Sequence, residues 1–157
     1  MPPPLILDPA ELDLSNPIAR RPEIERAIPQ RHEFAFLDAV VLIDRQRGLY
    51  AGYHDVRDDA FWVRGHIPGR PLFPGVLMIE VAAQLSSYLH HVLFEPSTFI
   101  GFVGVDRVKF RGAVEPPCRL VVVGRGKVLK PRRLTCETQG FVNGTMVFEG
   151  EITGMSI

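Results

Sequence analysis

Arg64 to Gln84 reads RGHIPGRPLFPGVLMIEVAAQ, a Gly/Pro-rich loop running straight into an apolar segment. His66 sits in a turn built from Gly65, Pro68, Gly69, Pro71, Pro74 and Gly75. Proline fixes φ and lacks an N–H donor, so this stretch cannot be a helix interior or a central strand. From Val76 the chain reads VLMIEVAAQL, interrupted only by Glu80 and Gln84. A helix apolar on nearly all sides is a buried helix, and the spacing predicts one over about Val76 to Leu93. Glu80 and Gln84 are four apart and share a face. A carboxylate there is expected to lose solvation, which raises its pKa. An acid lined by apolar groups near a histidine is an arrangement suited to moving protons.

Strand signals flank this helix. Phe34 to Asp44 reads as a strand, Gly48 breaks it, and Leu49 to Val56 reads as its hairpin partner. After Glu95-Pro96 come strands over Ser97–Val105 with a continuation at Val108–Phe110, then Leu120–Leu129, Leu134–Phe141 and Thr145–Ile152. Gly112 to Pro117 is a turn, and Asn143-Gly144 is a hairpin signal. Pro22 to Ala27 reads as a short helix opened by proline. The order is two strands, one long helix, then several antiparallel strands. It predicts an α+β architecture with one antiparallel sheet packed on the helix. One sheet face cannot cover so apolar a helix, so a dimer is expected. Residues 1–21 read as a largely polar extension over the surface, and 22–157 as the domain.

Composition sets bounds. The chain has 157 residues, 46% hydrophobic and 23% charged, which suits one globular domain. No apolar run reaches the ~18–20 residues of a membrane span. The start lacks the basic and apolar regions of a secretory signal, so a cytoplasmic protein is expected. Cys118 and Cys136 show no metal-ligand spacing and read as core cysteines, and no cluster supports a metal. Formal net charge is zero, which argues against nucleic acid as a partner. Charge is nevertheless uneven: residues 107–133 hold nine Lys/Arg and one acid, Glu115. Such a face can meet an acidic partner or simply keep strand edges solvated. His54-Asp55 reads as a turn, and His90-His91 as surface residues at the helix end. Arg31 reads either as structural or as steering a substrate.

Three blocks carry a family likeness. G-H-I-P-G-R-P-L-F-P-G-V-L-M-I-E at 65–80 resembles the G-H-F-P-x-x-P-x-x-P-G-V-L-x-x-E signature of the FabZ-type 3-hydroxyacyl-[acyl carrier protein] dehydratases. Ile28-Pro29-Gln30-Arg31 with Phe34 and Leu37-Asp38 is similar to that family's L-P-H-R-Y-P-F-L-L-V-D block. Gly104 to Arg111 is similar to its G-I-D-x-V-R-F-R segment. Ile67, Leu72-Phe73, Gln30, His32 and Glu33 depart from the pattern. Of these, Leu72-Phe73 stand where the family's acyl tunnel lies.

The resemblance implies a hotdog fold: a long helix wrapped by an antiparallel sheet, in a homodimer with continuous sheets, often a trimer of dimers. It implies dehydration of a (3R)-hydroxyacyl group on acyl carrier protein, with no cofactor beyond the carrier's phosphopantetheine. His66 would be the base, since an imidazole suits proton transfer near neutrality. It would face the partner subunit's Glu80, which handles the hydroxyl. The amide of Gly75, with Val76 beside it at the helix start, would hold the thioester carbonyl. Gln84 is expected in a supporting role and Phe73 on the acyl path. Arg107, Lys109 and Arg111 are candidates for docking the acidic carrier. The rivals are a thioesterase, a non-catalytic acyl-binding module, and a dehydratase that also isomerises. The last typically carries Asp where this chain has Glu80.

Overall fold

A computed structural model describes residues 3–96 and 99–157. The elements are β1 (Ala19–Arg20), α1 (Arg21–Ala27), β2 (Ala39–Asp44), β3 (Leu49–Val56), α2 (Gly75–Phe94), β4 (Ile100–Phe110), β5 (Cys118–Lys130), β6 (Arg133–Val142) and β7 (Thr145–Ser156). All strand pairs are antiparallel, in one seven-stranded sheet ordered β1-β2-β3-β5-β6-β7-β4. The expected architecture of one long helix against one antiparallel sheet is what the chain adopts.

Helix α2 begins where the prolines stop. Pro74 is its N-cap, and at the far end Glu95 turns left-handed at φ 43, just before Pro96. Met78, Val81, Ala82, Leu85 and Leu89 bury against Tyr50, Leu120, Val122, Leu134 and Phe148. Sheet and helix approach closely at Gly52, where an added Cβ would lie 2.5 Å from the Ala39 carbonyl and 2.9 Å from Leu85. The Ser86 hydroxyl donates to the Ala82 carbonyl at 2.9 Å and accepts from the Tyr50 hydroxyl at 2.7 Å. Asn143 and Gly144, both at positive φ, make the β6–β7 hairpin as their chemistry predicts.

Several expectations need correcting. The strand read from Phe34 starts only at Ala39. Gln84 takes up the backbone of Phe34, Phe36 and Leu37, which holds that stretch off the sheet. The strand read from Ser97 falls partly outside the described residues. It runs from Ile100 as one strand, with a bulge between Asp106 and Lys109 where Arg107 sits at φ 51. His54-Asp55 is the end of β3 rather than a turn. His90 is not a surface residue but fully buried.

Residues 3–20 do more than run over the surface. Ile6, Leu7, Leu12 and Leu14 pack on the sheet face opposite α2, against Ala51, Tyr53, Val121, Val123 and Phe141. Gln139 clamps the segment, its carbonyl accepting from the Ile6 amide and its amide donating to the Pro4 carbonyl, both at 2.9 Å. The central strands are therefore apolar on both faces, as strands covered on both sides must be. The β4 edge is left open instead. Phe102, Val103, Val105 and Phe110 are all exposed along it.

No helix of the described residues is long and apolar enough to cross a membrane.

Candidate active site

His66 is half-buried in the loop between β3 and α2. Its backbone N–H donates to Trp62 O at 2.8 Å, and Phe73 N–H donates to Val114 O at 2.8 Å, tying the loop at both ends. Ile67 follows at φ 58, a left-handed conformation that a β-branched residue adopts only under constraint. The His66 Nδ1 lies 2.9 Å from Leu72 O. A carbonyl only accepts, so Nδ1 carries the hydrogen and the neutral ring presents Nε2 as a base.

Glu80 lies on the second turn of α2. It is half-buried and lines a cleft of mixed character, with apolar Ala83, Phe102, Leu134 and Ile152 beside polar Gln30, Gln84 and Ser87. Gln84 Nε2 donates to Glu80 Oε1 at 2.8 Å, so the shared face predicted for the pair is a direct hydrogen bond. Gln84 is almost wholly buried, and it also donates to Phe34 O at 2.7 Å and accepts from Phe36 N and Leu37 N. All four of its hydrogen-bonding positions are filled. It fixes the carboxylate and the chain beside it, and has nothing left for a substrate. His66 does not line this cleft.

Gly75 and Val76 open α2 directly after the loop, and no side chain caps that end. The first amides of a helix have no intrahelical acceptor and lie at the positive end of its dipole. Gly75 is also packed by β4: an added Cβ would lie 3.0 Å from the Phe110 ring. Phe73 sits in the core, 2% exposed, with its ring against Trp62, His54 and Phe36. Within one chain it stiffens the loop and does not line the Glu80 cleft.

The basic stretch is interleaved with acids. Arg107 pairs with Glu151, Arg111 with Glu149, Lys127 with Glu151, Arg125 with Glu137, and Arg119 with Asp55. Five of the nine cations therefore have carboxylate partners on β3, β6 and β7, while Lys109 is exposed on β4. Arg31 resolves as structural. Its guanidinium donates to the carbonyls of Glu25, Ile28 and Gln30, closing the end of α1.

Sequence reasoning missed a polar cluster at the base of the loop. Asp38 accepts from Arg21, from the Asp55 amide at 2.7 Å and from His54 Nδ1 at 3.0 Å. Burial pushes the Asp38 carboxyl up, but the His54 and Asp55 hydrogen bonds and the Arg21 charge outweigh it and hold the pKa below the usual range. The only signal was the order of the residues Leu37-Asp38 and His54-Asp55, which gives no hint that the two segments meet. Gln30 on the cleft wall was also missed, although it stands where the FabZ-type pattern has histidine. Cys136 offers no nucleophile, because burial pushes its thiol up to about 11.

A family model described as a FabA-like domain matches residues 28–151. The 3-hydroxyacyl-[acyl-carrier-protein] dehydratase FabZ of Campylobacter jejuni is 30% identical over 145 residues, 86% of this chain and 95% of that protein. Among solved structures, the dehydratase heterocomplex ApeI:P from Xenorhabdus doucetiae superposes with a TM-score of 0.72 at 16% identity, covering 85% of this chain and 90% of that one. A thioesterase from Pseudomonas aeruginosa does so with 0.60 at 15%, covering 76% and 80%. The two structural likenesses speak for the fold alone; the family model and the sequence relative, whose matched stretch spans the His66 loop and the Glu80 helix, place the chain in the FabA-like family of hotdog-fold dehydratases.

Proposed function

We propose that the protein dehydrates (3R)-hydroxyacyl groups carried on acyl carrier protein to trans-2-enoyl groups in fatty acid biosynthesis, in the cytoplasm. The observation that carries this reading is that the chain holds two differently prepared groups. One is a loop histidine whose Nδ1 is committed to Leu72 O. The other is a helix carboxylate with one oxygen bound by Gln84 and the other left for a ligand.

In this reading His66 Nε2 takes the C2 proton. The electron pair left on C2 forms the C2=C3 double bond as the C3–O bond breaks. The departing hydroxyl takes a proton from Glu80 and leaves as water. Solvent then returns a proton to Glu80 and removes one from His66. The Gly75 amide, with Val76 next to it, stabilises the charge that develops on the thioester oxygen. The reaction needs no cofactor of its own, since the substrate arrives on the carrier's phosphopantetheine.

His66 does not line the cleft of its own chain's Glu80, so the reading pairs it with the partner subunit's Glu80. The open apolar β4 edge suits a homodimer whose sheets join there, because an exposed apolar edge is a template for strand pairing. Lys109, exposed on the same strand, is the best remaining candidate for carrier docking among the three cations considered. Lys109→Glu should weaken turnover of carrier-bound substrate and spare a small thioester. Equal loss on both removes the docking role.

The direct test is ultraviolet detection of enoyl thioester formed from a 3-hydroxyacyl thioester, with wild type and His66→Ala side by side. The fold also hosts thioesterases and acyl-binding modules, so fold alone does not decide. Release of free thiol without enoyl product would make the protein a thioesterase. Binding without either would make it an acyl-binding module.

A further inference from the structure

His54 lies near the end of β3, its side chain only 12% exposed. Its Nδ1 is 2.6 Å from Phe36 O and 3.0 Å from an Asp38 carboxylate oxygen. A carbonyl can only accept, so Nδ1 carries the hydrogen. Asp38 is itself held by Arg21 and by the Asp55 amide, which fixes the carboxylate that the imidazole meets. Held at one nitrogen, the ring is a rigid surface for whatever packs on it.

Two lines of contact leave His54, and each ends at a candidate catalytic group. Through its ring, His54 packs against Phe73, with centroids 5.3 Å apart. Phe73 follows Leu72, whose carbonyl accepts from His66 Nδ1. The Phe73 ring also packs against Trp62, whose carbonyl accepts from the His66 backbone N–H. A shift of Phe73 therefore disturbs both carbonyls that set His66. Through Nδ1–H, His54 holds the Phe36 carbonyl. The amides of Phe36 and Leu37 donate to Gln84 Oε1, and Gln84 Nε2 donates to Glu80 Oε1. The Phe36 peptides are thus held at the carbonyl by His54 and at the amide by Gln84. Working sites need their groups held to a fraction of an ångström, and a displacement of about 1 Å can cost about 100-fold in rate.

We propose that His54 is a positioning residue for both groups: its ring sets the loop that orients His66, and its Nδ1–H sets the backbone through which Gln84 holds Glu80. The consequence for turnover rests on the dehydratase reading; the orientation of the two side chains does not. In the proposed dimer the His66 and Glu80 of one chain belong to different sites, so each His54 serves both.

The test uses the full chain and two variants that divide the side chain, each shown to be folded by its thermal transition. His54→Phe keeps a ring against Phe73 and loses the N–H. His54→Asn keeps an N–H where Nδ1 stood and loses the ring. Nitrogen NMR of histidine-labelled protein at about pH 8, where the imidazoles are neutral, reads the His66 tautomer, assigned by its loss in His66→Ala. Wild type should show the Nδ1–H form; any other form overturns the proposal without a variant. His54→Phe should keep that form and His54→Asn should mix it with the Nε2–H form. The Phe36 and Leu37 amides should exchange with solvent about tenfold faster in His54→Phe than in wild type. On a 3-hydroxyacyl thioester, kcat should fall about tenfold or more in each variant, with KM within about twofold of wild type. An unchanged tautomer in His54→Asn removes the role of the ring, and unchanged exchange in His54→Phe removes that of the N–H; either overturns the proposal. So does wild-type kcat in either variant, or a loss confined to KM. A folded wild type that turns over no 3-hydroxyacyl thioester overturns the dehydratase reading instead. The tautomer and exchange measurements need no substrate, and they then decide the role of His54 alone.

Discussion

The two faces of the sheet are covered in different ways. On one, α2 lies as a single continuous element, twenty residues long, and carries both the packing and Glu80. On the other, an irregular segment places Ile6, Leu7, Leu12 and Leu14 on Ala51, Tyr53, Val121, Val123 and Phe141 without forming a regular element of any length. The helix face combines core packing with the carboxylate proposed to act in catalysis. The opposite face contributes burial alone and touches none of the candidate catalytic residues. Changes on the two faces should therefore separate activity from stability.

The largest effect is expected on the helix face. His66→Ala should lower turnover at least ~100-fold, given the usual worth of a general base, with little change in thermal stability because the ring is half-exposed. Near-wild-type turnover would remove His66 from the mechanism. The mirror experiment removes residues 1–16. It uncovers the outer apolar patch and should cost a few kcal/mol of stability, on the scale of about 25 cal/mol per Å² of apolar surface exposed. A tendency to associate should accompany it. Specific activity of the protein that remains folded should hold. If truncation abolishes activity in well-folded protein, the division between the faces is wrong.

Gln84 sharpens the comparison because it serves both ends on one face. Gln84→Leu leaves the Phe36 and Leu37 amides and the Phe34 carbonyl unpaired and frees Glu80. A loss of about 2–4 kcal/mol is expected, together with a fall in turnover. Loss of one without the other would separate the positioning role from the structural one. Asp38 should give the smallest effect. Its pKa is lowered in the folded state, so its contribution is present above the ordinary carboxylate pKa of about 3.9. That contribution is lost as pH falls through the lower folded value. Urea unfolding from pH 6 downward should show a shallower acid decline in Asp38→Asn than in wild type. Identical slopes would mean the cluster with Arg21 and His54 does not couple to folding.

The same contrast explains what was legible in the sequence. The helix face could be read because its information is local. Proline positions set the start of α2, Pro96 and a left-handed residue set its end, and the i, i+4 spacing put Glu80 beside Gln84. The β6–β7 hairpin was legible for the same reason, since Asn143-Gly144 encodes its own turn. The outer face was not read because its apolar residues are scattered among prolines and acids with no period. A signal did exist elsewhere: Leu120-Val121-Val122-Val123 is continuously apolar, which marks a strand covered on both faces. His90 was misread because its burial depends on the β5–β6 turn reaching the helix end through Lys130 O. The Asp38 cluster joins residues seventeen positions apart through the sheet, a juxtaposition that spacing along the chain does not encode. The pairing of the basic stretch was not legible because its neutralising acids lie on neighbouring strands.

In the proposed dimer each site is built from His66 of one subunit and Glu80 of the other. That arrangement is tested most directly by mixing two inactive variants. His66→Ala and Glu80→Gln are each purified and assayed alone, then refolded or co-expressed together. Each heterodimer regains one intact site, so random pairing of a two-fold dimer should restore about a quarter of wild-type enoyl formation. A mixture that stays as inactive as its components, with heterodimers shown to have formed, would place His66 and Glu80 of a working site in the same subunit or outside the mechanism altogether.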